Sequence, residues 1–476
     1  MTRAVLSVAS ECAPLVKTGG LADVVGALPA ALAGVGWHMR TLVPGYPSVL
    51  RTAPGGTTVW TDNDLFGGPA EIRATKHGTL DLLILDAPHL YQREGSIYMG
   101  ADNQNWADNP ERFAALSWVA AALARDGAGG WYPEVVHAHD WQAALTPTYL
   151  KAQGTDVACL LTIHNIAFHG PAPADRLGSM RLPPERFTAD GLEFYGQINA
   201  LKAGIVDAQA ISTVSPTYAR ELLDPDFGMG LEGVIATRVN ALHGILNGID
   251  SEVWSPAVDP MILPYKTPRG KARNRAALIA SFGLEAGPVD GPLCIVVSRL
   301  TDQKGLDVLA DAVPRLVDAG GMLALLGTGD PALEARFRAL AAQYPQVGVR
   351  IGYSEPDSHK MFAGADAVLV PSRFEPCGLT QLYGLAYGAI PVVARTGGLA
   401  DTVIDANELA LRSGVATGIK FWPVTADALA LALHRLVYLY RDSKTFARIQ
   451  RNGMAQALDW GPSAAAYAAL YARLAD

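Results

Sequence analysis

Two stretches of this chain place cations and a carboxylate where open α/β sheets bind their ligands. Ser298-Arg299-Leu300-Thr301-Asp302-Gln303-Lys304-Gly305 follows the strongest apolar run of the second half and precedes a helical pattern. Ligands of such sheets sit at the carboxyl ends of strands. A guanidinium fork and a point-charge ammonium suit a pyrophosphate. Two surface cations capping a loop would look the same, and the segment alone leaves both readings open. The second stretch is Pro371-Ser372-Arg373-Phe374-Glu375-Pro376-Cys377-Gly378-Leu379-Thr380-Gln381, again between an apolar run and a helix. Glu375 stands just ahead of the helix start, and Gly378 lets a ligand approach the backbone closely. A carboxylate there accepts hydrogen bonds from sugar hydroxyls while helix N–H groups donate others; ordinary capping of the helix start is the alternative. Cys377 reads as a small buried filler, because no histidine lies near it in sequence to activate the thiol.

In the first half, His137-Ala138-His139-Asp140-Trp141 and Thr162-Ile163-His164-Asn165 each close a strand. Two histidines at i, i+2 with Asp140 raise a metal site, but no second cluster with metal spacing accompanies them. Polar groups at strand ends facing a cleft are the better reading, with His164 and Asp140 touching ligand. An internal echo adds to this. Val16-Lys17-Thr18-Gly19-Gly20-Leu21-Ala22-Asp23-Val24 returns as Ala394-Arg395-Thr396-Gly397-Gly398-Leu399-Ala400-Asp401-Thr402, each copy following a strand-like run and starting a helix. The echo is in part a shared way of turning from strand into helix. It is also chemical: paired glycines leave N–H groups open at a positive helix end, with Lys17 and Arg395 adding charge. Two such loops suggest two similar domains presented to one anionic ligand. Gly327-Thr328-Gly329-Asp330-Pro331-Ala332 defines a rival. It matches the G-x-G-x-x-A dinucleotide fingerprint, with Glu355 as the ribose acid, and would mark a nicotinamide-dependent oxidoreductase. The fingerprint normally follows the first strand of its domain, whereas Leu293–Val297 comes earlier here.

The elements that must position these groups are short apolar runs alternating with helical stretches. Strands are expected at Ala4–Ala9, His38–Val43, Leu80–Asp86, Val135–His139, Ala158–Ile163 and Ala210–Val214, then at Leu293–Val297, Met322–Leu326, Val347–Gly352, Ala367–Val370 and Ile390–Ala394. Continuous apolar strands with helices between them predict parallel sheets covered on both faces. The 476 residues suit two domains. The Pro-, Gly- and charge-rich stretch Pro256 to Pro292 gives only weak strand signals. The boundary is placed before it, so that residues 1–246 and 247–458 form the domains and 459–476 a terminal helix. That helix is expected over Ala464–Leu474, with Trp460-Gly461-Pro462 breaking the helical tail before it.

A formal charge of −8 argues against nucleic acid or an anionic membrane as partner. No apolar run is long enough to cross a bilayer, and Met1-Thr2-Arg3 opens no signal peptide. Cys12, Cys159, Cys294 and Cys377 lack metal or disulfide spacing and read as reduced thiols, so a cytoplasmic location is expected.

Taken in order, these motifs resemble the blocks of bacterial glycogen synthases and plant starch synthases. Lys17-Thr18-Gly19-Gly20-Leu21, Val136-His137-Ala138-His139-Asp140-Trp141, Thr162-Ile163-His164-Asn165, Asn247-Gly248-Ile249-Asp250, Ser298-Arg299-Leu300-Thr301 with Gln303-Lys304-Gly305, and Phe374-Glu375-Pro376-Cys377-Gly378-Leu379 span nearly the whole chain. The resemblance implies the GT-B architecture: two Rossmann-like α/β domains with parallel sheets facing a cleft, and a C-terminal helix crossing back to the first domain. It also implies metal-free, cofactor-free, retaining transfer of glucose from ADP-glucose to an α-1,4-glucan, with the acceptor on the first domain and the donor on the second. Carried onto this chain, Arg299 and Lys304 would hold the diphosphate, and Lys17, with Gly20 nearby, would reach it from the first domain. Glu375 would bind donor hydroxyls with the backbone of Cys377 and Gly378. His164 would contact the transferred glucose, Asp140 and Asn247 would line the sugar site, Tyr353 would stack on adenine, and Thr380 would bind near the distal phosphate or ribose. Glu11 and Asp23 would serve the acceptor and donor sides. Many relatives of this fold carry a second Glu where this chain has Tyr383, a lack that the glycogen and starch synthases share. A family lysine early in the second domain falls on Arg275. A non-catalytic glucan-binding protein of the same fold is a third reading, against which the full set of Lys17, Arg299, Lys304 and Glu375 argues.

Overall fold

Buried, unbroken apolar strands form the centre of both sheets in the computed structural model, which describes residues 2–100, 102 and 104–476. In chain order the strands are β1 (Arg3–Val8), β2 (Trp37–Pro44), β3 (Thr57–Asp62), β4 (Ala70–His77), β5 (Leu80–Asp86), β6 (Val135–His139), β7 (Ala158–Ile163), β8 (Pro171–Pro173), β9 (Glu193–Phe194), β10 (Gln197–Asn199), β11 (Ala210–Thr213) and β12 (Leu242–Gly244). They continue with β13 (Leu293–Val297), β14 (Met322–Gly327), β15 (Val347–Ile351), β16 (Ala367–Val370), β17 (Ile390–Ala394) and β18 (Ile419–Phe421). The chain divides into two compact units: everything through Gly248 together with Trp460–Asp476, and Ile249–Asp459.

The first unit is built on a nine-stranded sheet in the order β12-β11-β7-β6-β1-β2-β5-β4-β3. From β12 to β5 all pairs are parallel; β4 and β3 then add antiparallel. The expectation of a purely parallel sheet is thus corrected at one edge. Ala70-Glu71-Ile72-Arg73 of β4 alternates apolar with polar residues, the pattern of a strand with one wet face, and β3 is a mostly exposed edge strand with only Val59 and Trp60 apolar. A small antiparallel sheet of β8, β10 and β9 lies outside the main one.

The second unit has a six-stranded, fully parallel sheet in the order β15-β14-β13-β16-β17-β18. Its two faces separate by residue parity, as the pleat requires. Cys294 and Val296 of β13 enter one core with Leu309, Val313 and Leu433. Leu293 and Ile295 enter the other with Leu278, Phe362 and Tyr387. The stretch from Pro256 holds a helix, Ala272–Phe282, ended by Gly283 in the left-handed conformation. Arg275 on that helix holds Asp366 (Nε to Oδ2, 2.8 Å) and is structural.

The terminal helix runs Gly461–Ala475 and packs within the first unit, where Trp460, Ala464, Tyr467 and Tyr471 join a core with Val5, Val24, Leu28 and Trp37. Gly461 and Pro462 lie inside its first turn and open it, because proline's missing N–H falls where no intrahelical acceptor exists. Among the described residues no helix is long and apolar enough to cross a membrane. All four cysteines are buried free thiols.

Candidate active site

In the second unit the two cation- and carboxylate-bearing loops meet at the carboxyl ends of β13 and β16. Lys304 Nζ donates to Glu375 Oε2 at 2.5 Å, and Ser372 Oγ donates to the same oxygen at 2.9 Å. The loops are pressed together by construction. Gly305 has φ +63°, and a Cβ there would lie 2.0 Å from the Pro371 carbonyl oxygen. The Arg373 N–H donates to the Gln303 carbonyl at 2.9 Å, and its guanidinium spans Asp302 and Asp307. Ser298, Lys304, Ser372, Glu375 and Thr380 line one small pocket.

Glu375 is 7% exposed and does not cap the following helix, Thr380–Tyr387. Its second oxygen, Oε1, and the N–H groups of Gly378 and Leu379 have no partner among the described residues. Gly378 sits at φ +71° with its Cα against the Glu375 side chain and Gln381. Arg299 is exposed and makes no ion pair among the described residues. Tyr353, 74% exposed, donates to Glu355 Oε2 at 3.1 Å. It follows β15, two strands from β13, so it shares the sheet edge but not the Lys304–Glu375 pocket.

Two expectations about glycine loops are corrected in this unit. The second Gly-Gly loop is not open to a ligand: the Gly398 N–H donates to the carbonyls of Glu375 and Pro376, both at 3.1 Å. It braces the Glu375 loop from behind. The dinucleotide fingerprint is likewise used up internally. A Cβ at Gly327 would lie 2.0 Å from the Ser298 carbonyl oxygen and one at Gly329 2.3 Å from that of Leu300. The helix start beyond is filled by Asp330, which accepts from Ala332 and Leu333 N–H groups, and by Glu334, which accepts from Thr328 Oγ1 and Gly329 N–H. These glycines exist for close packing on the Arg299 loop, and no space for a pyrophosphate remains.

In the first unit, the first Gly-Gly loop holds a carboxylate of its own. Buried Glu11 accepts from the N–H groups of Thr18 (2.5 Å) and Gly19 (3.2 Å), from Thr18 Oγ1 (2.5 Å) and from Tyr98 OH (2.6 Å). Lys17 Nζ donates to Asp23 Oδ1 at 2.7 Å. Exposed Gly20 opens the helix Gly20–Ala33. The open anion nest expected here is therefore occupied by Glu11 and its cation by Asp23. Tyr98 also accepts from Gln142, just beyond Asp140. Ser372 and Arg373 lay in a quoted motif without a role, and Tyr98, 87 residues from Glu11, gave no sequence signal at all.

Asp140 follows β6 with φ +54°, a left-handed conformation uncommon outside glycine. Its carboxylate accepts from the N–H groups of His164 (2.7 Å) and Asn165 (3.3 Å), which ties the ends of β6 and β7 together. His164 Nε2 lies 3.0 Å from His139 Nδ1. Burial lowers His164 to about 3, so the imidazole is neutral. His137 has both ring nitrogens engaged, by Thr162 Oγ1 at 2.6 Å and Tyr471 OH at 2.7 Å, and has no lone pair for a metal. Asn247 is buried with its Oδ1 unpartnered.

Burial pushes the Asp140 carboxyl up from 3.8 to about 7, against the two N–H donors. Between these values the folded chain keeps a proton that the unfolded chain has lost. Stability from this group therefore falls as pH rises through that window and is flat above it. Asp140→Asn keeps an acceptor for both N–H groups and removes the titration. Its melting temperature, followed by calorimetry, should fall less steeply than that of the parent across this window. Parallel profiles would show that Asp140 titrates normally.

The starch synthase catalytic domain model matches residues 4–237, and the glycosyl transferases group 1 model matches residues 291–438. The chain is 58% identical over 471 residues to the glycogen synthase of Jannaschia sp. (strain CCS1), covering 99% of each chain. It is 57% identical over 476 residues to that of Paracoccus denitrificans (strain Pd 1222), covering 100% of each. Among solved structures it is similar to the catalytic domain of starch synthase IV from Arabidopsis thaliana bound to ADP and acarbose, with a TM-score of 0.88, 30% identity and 100% of both chains covered.

Proposed function

The chain belongs to the glycogen and starch synthase family, and from that premise we propose that it extends α-1,4-glucan chains with glucose from ADP-glucose, with retention at the anomeric carbon. At the coarser level it is a GT-B glycosyltransferase acting on glucan chains. The observation that carries the finer reading is the Lys304–Glu375 pocket, with Oε1 and the amides of Gly378 and Leu379 without partners among the described residues and exposed Arg299 on the loop that leads into Lys304. That set matches a sugar linked to a diphosphate: acceptors and donors for hydroxyls, two cations for phosphate oxygens.

The C1–O bond to the diphosphate breaks, the acceptor 4-hydroxyl bonds to C1 on the same face, and its proton leaves with the diphosphate. Negative charge grows on the leaving group, and Arg299 and Lys304 supply the countercharge. Glu375 Oε1 and the backbone at Cys377 and Gly378 fix the glucose hydroxyls, and Thr380 binds near the distal phosphate or ribose. Tyr353 stacks on the adenine. His164, held neutral, gives no proton; it orients a sugar hydroxyl, and its carbonyl faces the developing cation. Asp140 and Asn247 line the sugar site and Glu11 the acceptor, while Lys17 with Gly20 offers a further ammonium once Asp23 releases it.

Labelled glucose from ADP-glucose should enter glycogen faster than from UDP-glucose. Faster transfer from UDP-glucose would overturn the donor assignment, and no incorporation from either would overturn the activity. Within the pocket, Glu375→Ala should lose far more activity than Cys377→Ser. The carboxylate makes charge-assisted hydrogen bonds, whereas position 377 serves through its backbone. A worse Cys377→Ser would assign the thiol a part in the chemistry.

A further inference from the structure

A groove of about 660 Å³ opens at the carboxyl ends of β17 and β18, apart from the Lys304–Glu375 pocket. Its floor carries Trp422, whose side chain is 67% exposed although it follows a buried strand residue, Phe421. The Arg395 guanidinium lies over the indole, 5.8 Å from the ring centroid. Asp401, Asp405, Asn407 and Lys420 complete the rim.

The polar groups of this groove are largely engaged within the protein. Asp405 accepts from the Lys420 N–H at 2.7 Å and from Arg435 at 3.2 Å, and Lys420 Nζ donates to the Ala400 carbonyl at 3.1 Å. A phosphate would need several cations free to converge on it, whereas Arg395 lies against the indole and the Lys420 ammonium is turned to the Ala400 carbonyl. What remains is a flat apolar ring bordered by planar polar side chains. That combination fits a neutral ligand with an apolar face and a rim of hydroxyls, which is a pyranose. The location favours a polymer. β18 neighbours β17, which neighbours β16, the strand leading into Glu375. At a strand spacing of about 4.8 Å, Trp422 ends roughly 10 Å along the same sheet edge.

We propose that the Trp422 groove is a second glucan-binding site, which holds an arm of the polymer apart from the chain end being extended. The proposal rests on the glucan reading above for the identity of its ligand. The test compares the full-length protein with Trp422→Ala and Trp422→Phe. Retardation in gels containing glycogen reads polymer binding, and transfer to maltotriose reads the catalytic pocket. Trp422→Ala should weaken glycogen binding about ten-fold, the scale of one lost aromatic contact. Trp422→Phe, which keeps a ring, should fall between, and maltotriose transfer should stay within about two-fold of the parent. Unchanged retardation of Trp422→Ala would overturn the site. So would an equal loss on maltotriose, which would make Trp422 a support of the catalytic pocket, or a change of oligomeric state, which would make this face a contact between copies. A parent that binds glycogen through Trp422 yet transfers nothing to maltotriose would sink the proposed activity and leave this site standing.

Discussion

Lys304→Ala is expected to lower turnover by about two to three orders of magnitude, the scale for removing a group that stabilises transition-state charge. Lys304 is bound to Glu375 at 2.5 Å, and the carboxylate's other partner is Ser372. Truncation therefore does two things. It removes the proposed countercharge for the departing diphosphate, and it leaves a nearly buried carboxylate with one neutral donor. The second effect predicts that the losses are coupled. Lys304→Ala combined with Glu375→Gln should lose less than the product of the single losses, because a neutral amide no longer needs the ammonium. Lys304→Arg should recover part of the rate, since charge returns without the shape. The melting temperature should change little, because the loops are held independently by Arg373, Asp307 and the Gly305–Pro371 contact. Near-normal turnover in Lys304→Ala would remove the ammonium from the chemistry.

The two units share an arrangement. Lys17 rests on Asp23 and Lys304 on Glu375, while Glu11 fills the N–H nest of the first glycine loop. Each of these groups is thus paired inside its own unit, which spares an unbalanced charge at a partly buried position. Arg299, exposed and without an ion pair among the described residues, is the exception.

Much of this was legible because buried parallel strands announce themselves. β5, β6, β7, β13, β16 and β17 are continuous apolar runs, and their observed bounds match the expected ones. β3 and β4 escaped because more than half of each strand is polar, and β18 because three residues carry no period. The site was legible as motifs but not as contacts. Arg299, Lys304 and Glu375 stood out by charge and spacing. What positions them depends on partners remote in sequence, such as Gln303 with Arg373 or Glu11 with Tyr98. Identical glycine motifs misled most, since their geometry is set by what lies behind them.

That difference gives the last prediction, a pair of identical substitutions in identical local sequence. Gly19 and Gly397 are the first glycines of the two Thr-Gly-Gly-Leu-Ala-Asp copies. Gly19 has φ −156°, and a Cβ there would meet nothing within 4 Å. Gly397 has φ +42°, and a Cβ would lie 2.0 Å from the Glu375 carbonyl oxygen and 2.8 Å from its carbon. Both contacts are backbone, so no flexible side chain can swing aside. Gly397→Ala must push the Glu375 loop outward or strain its own turn, at a cost of about 1–3 kcal/mol. For a unit of this size that lowers the melting temperature by roughly 2–4 °C per kcal/mol. Activity should suffer more, because displacing a positioned group by about 1 Å costs on the order of a hundred-fold. Gly19→Ala should melt within about 2 °C of the parent, as a substitution compatible with its backbone does. The N–H that binds Glu11 is still present in that variant, and its rate should stay within a few-fold. Equal damage from the two would mean that Gly397 does not brace the Glu375 loop and that the echo reflects one shared role in both units.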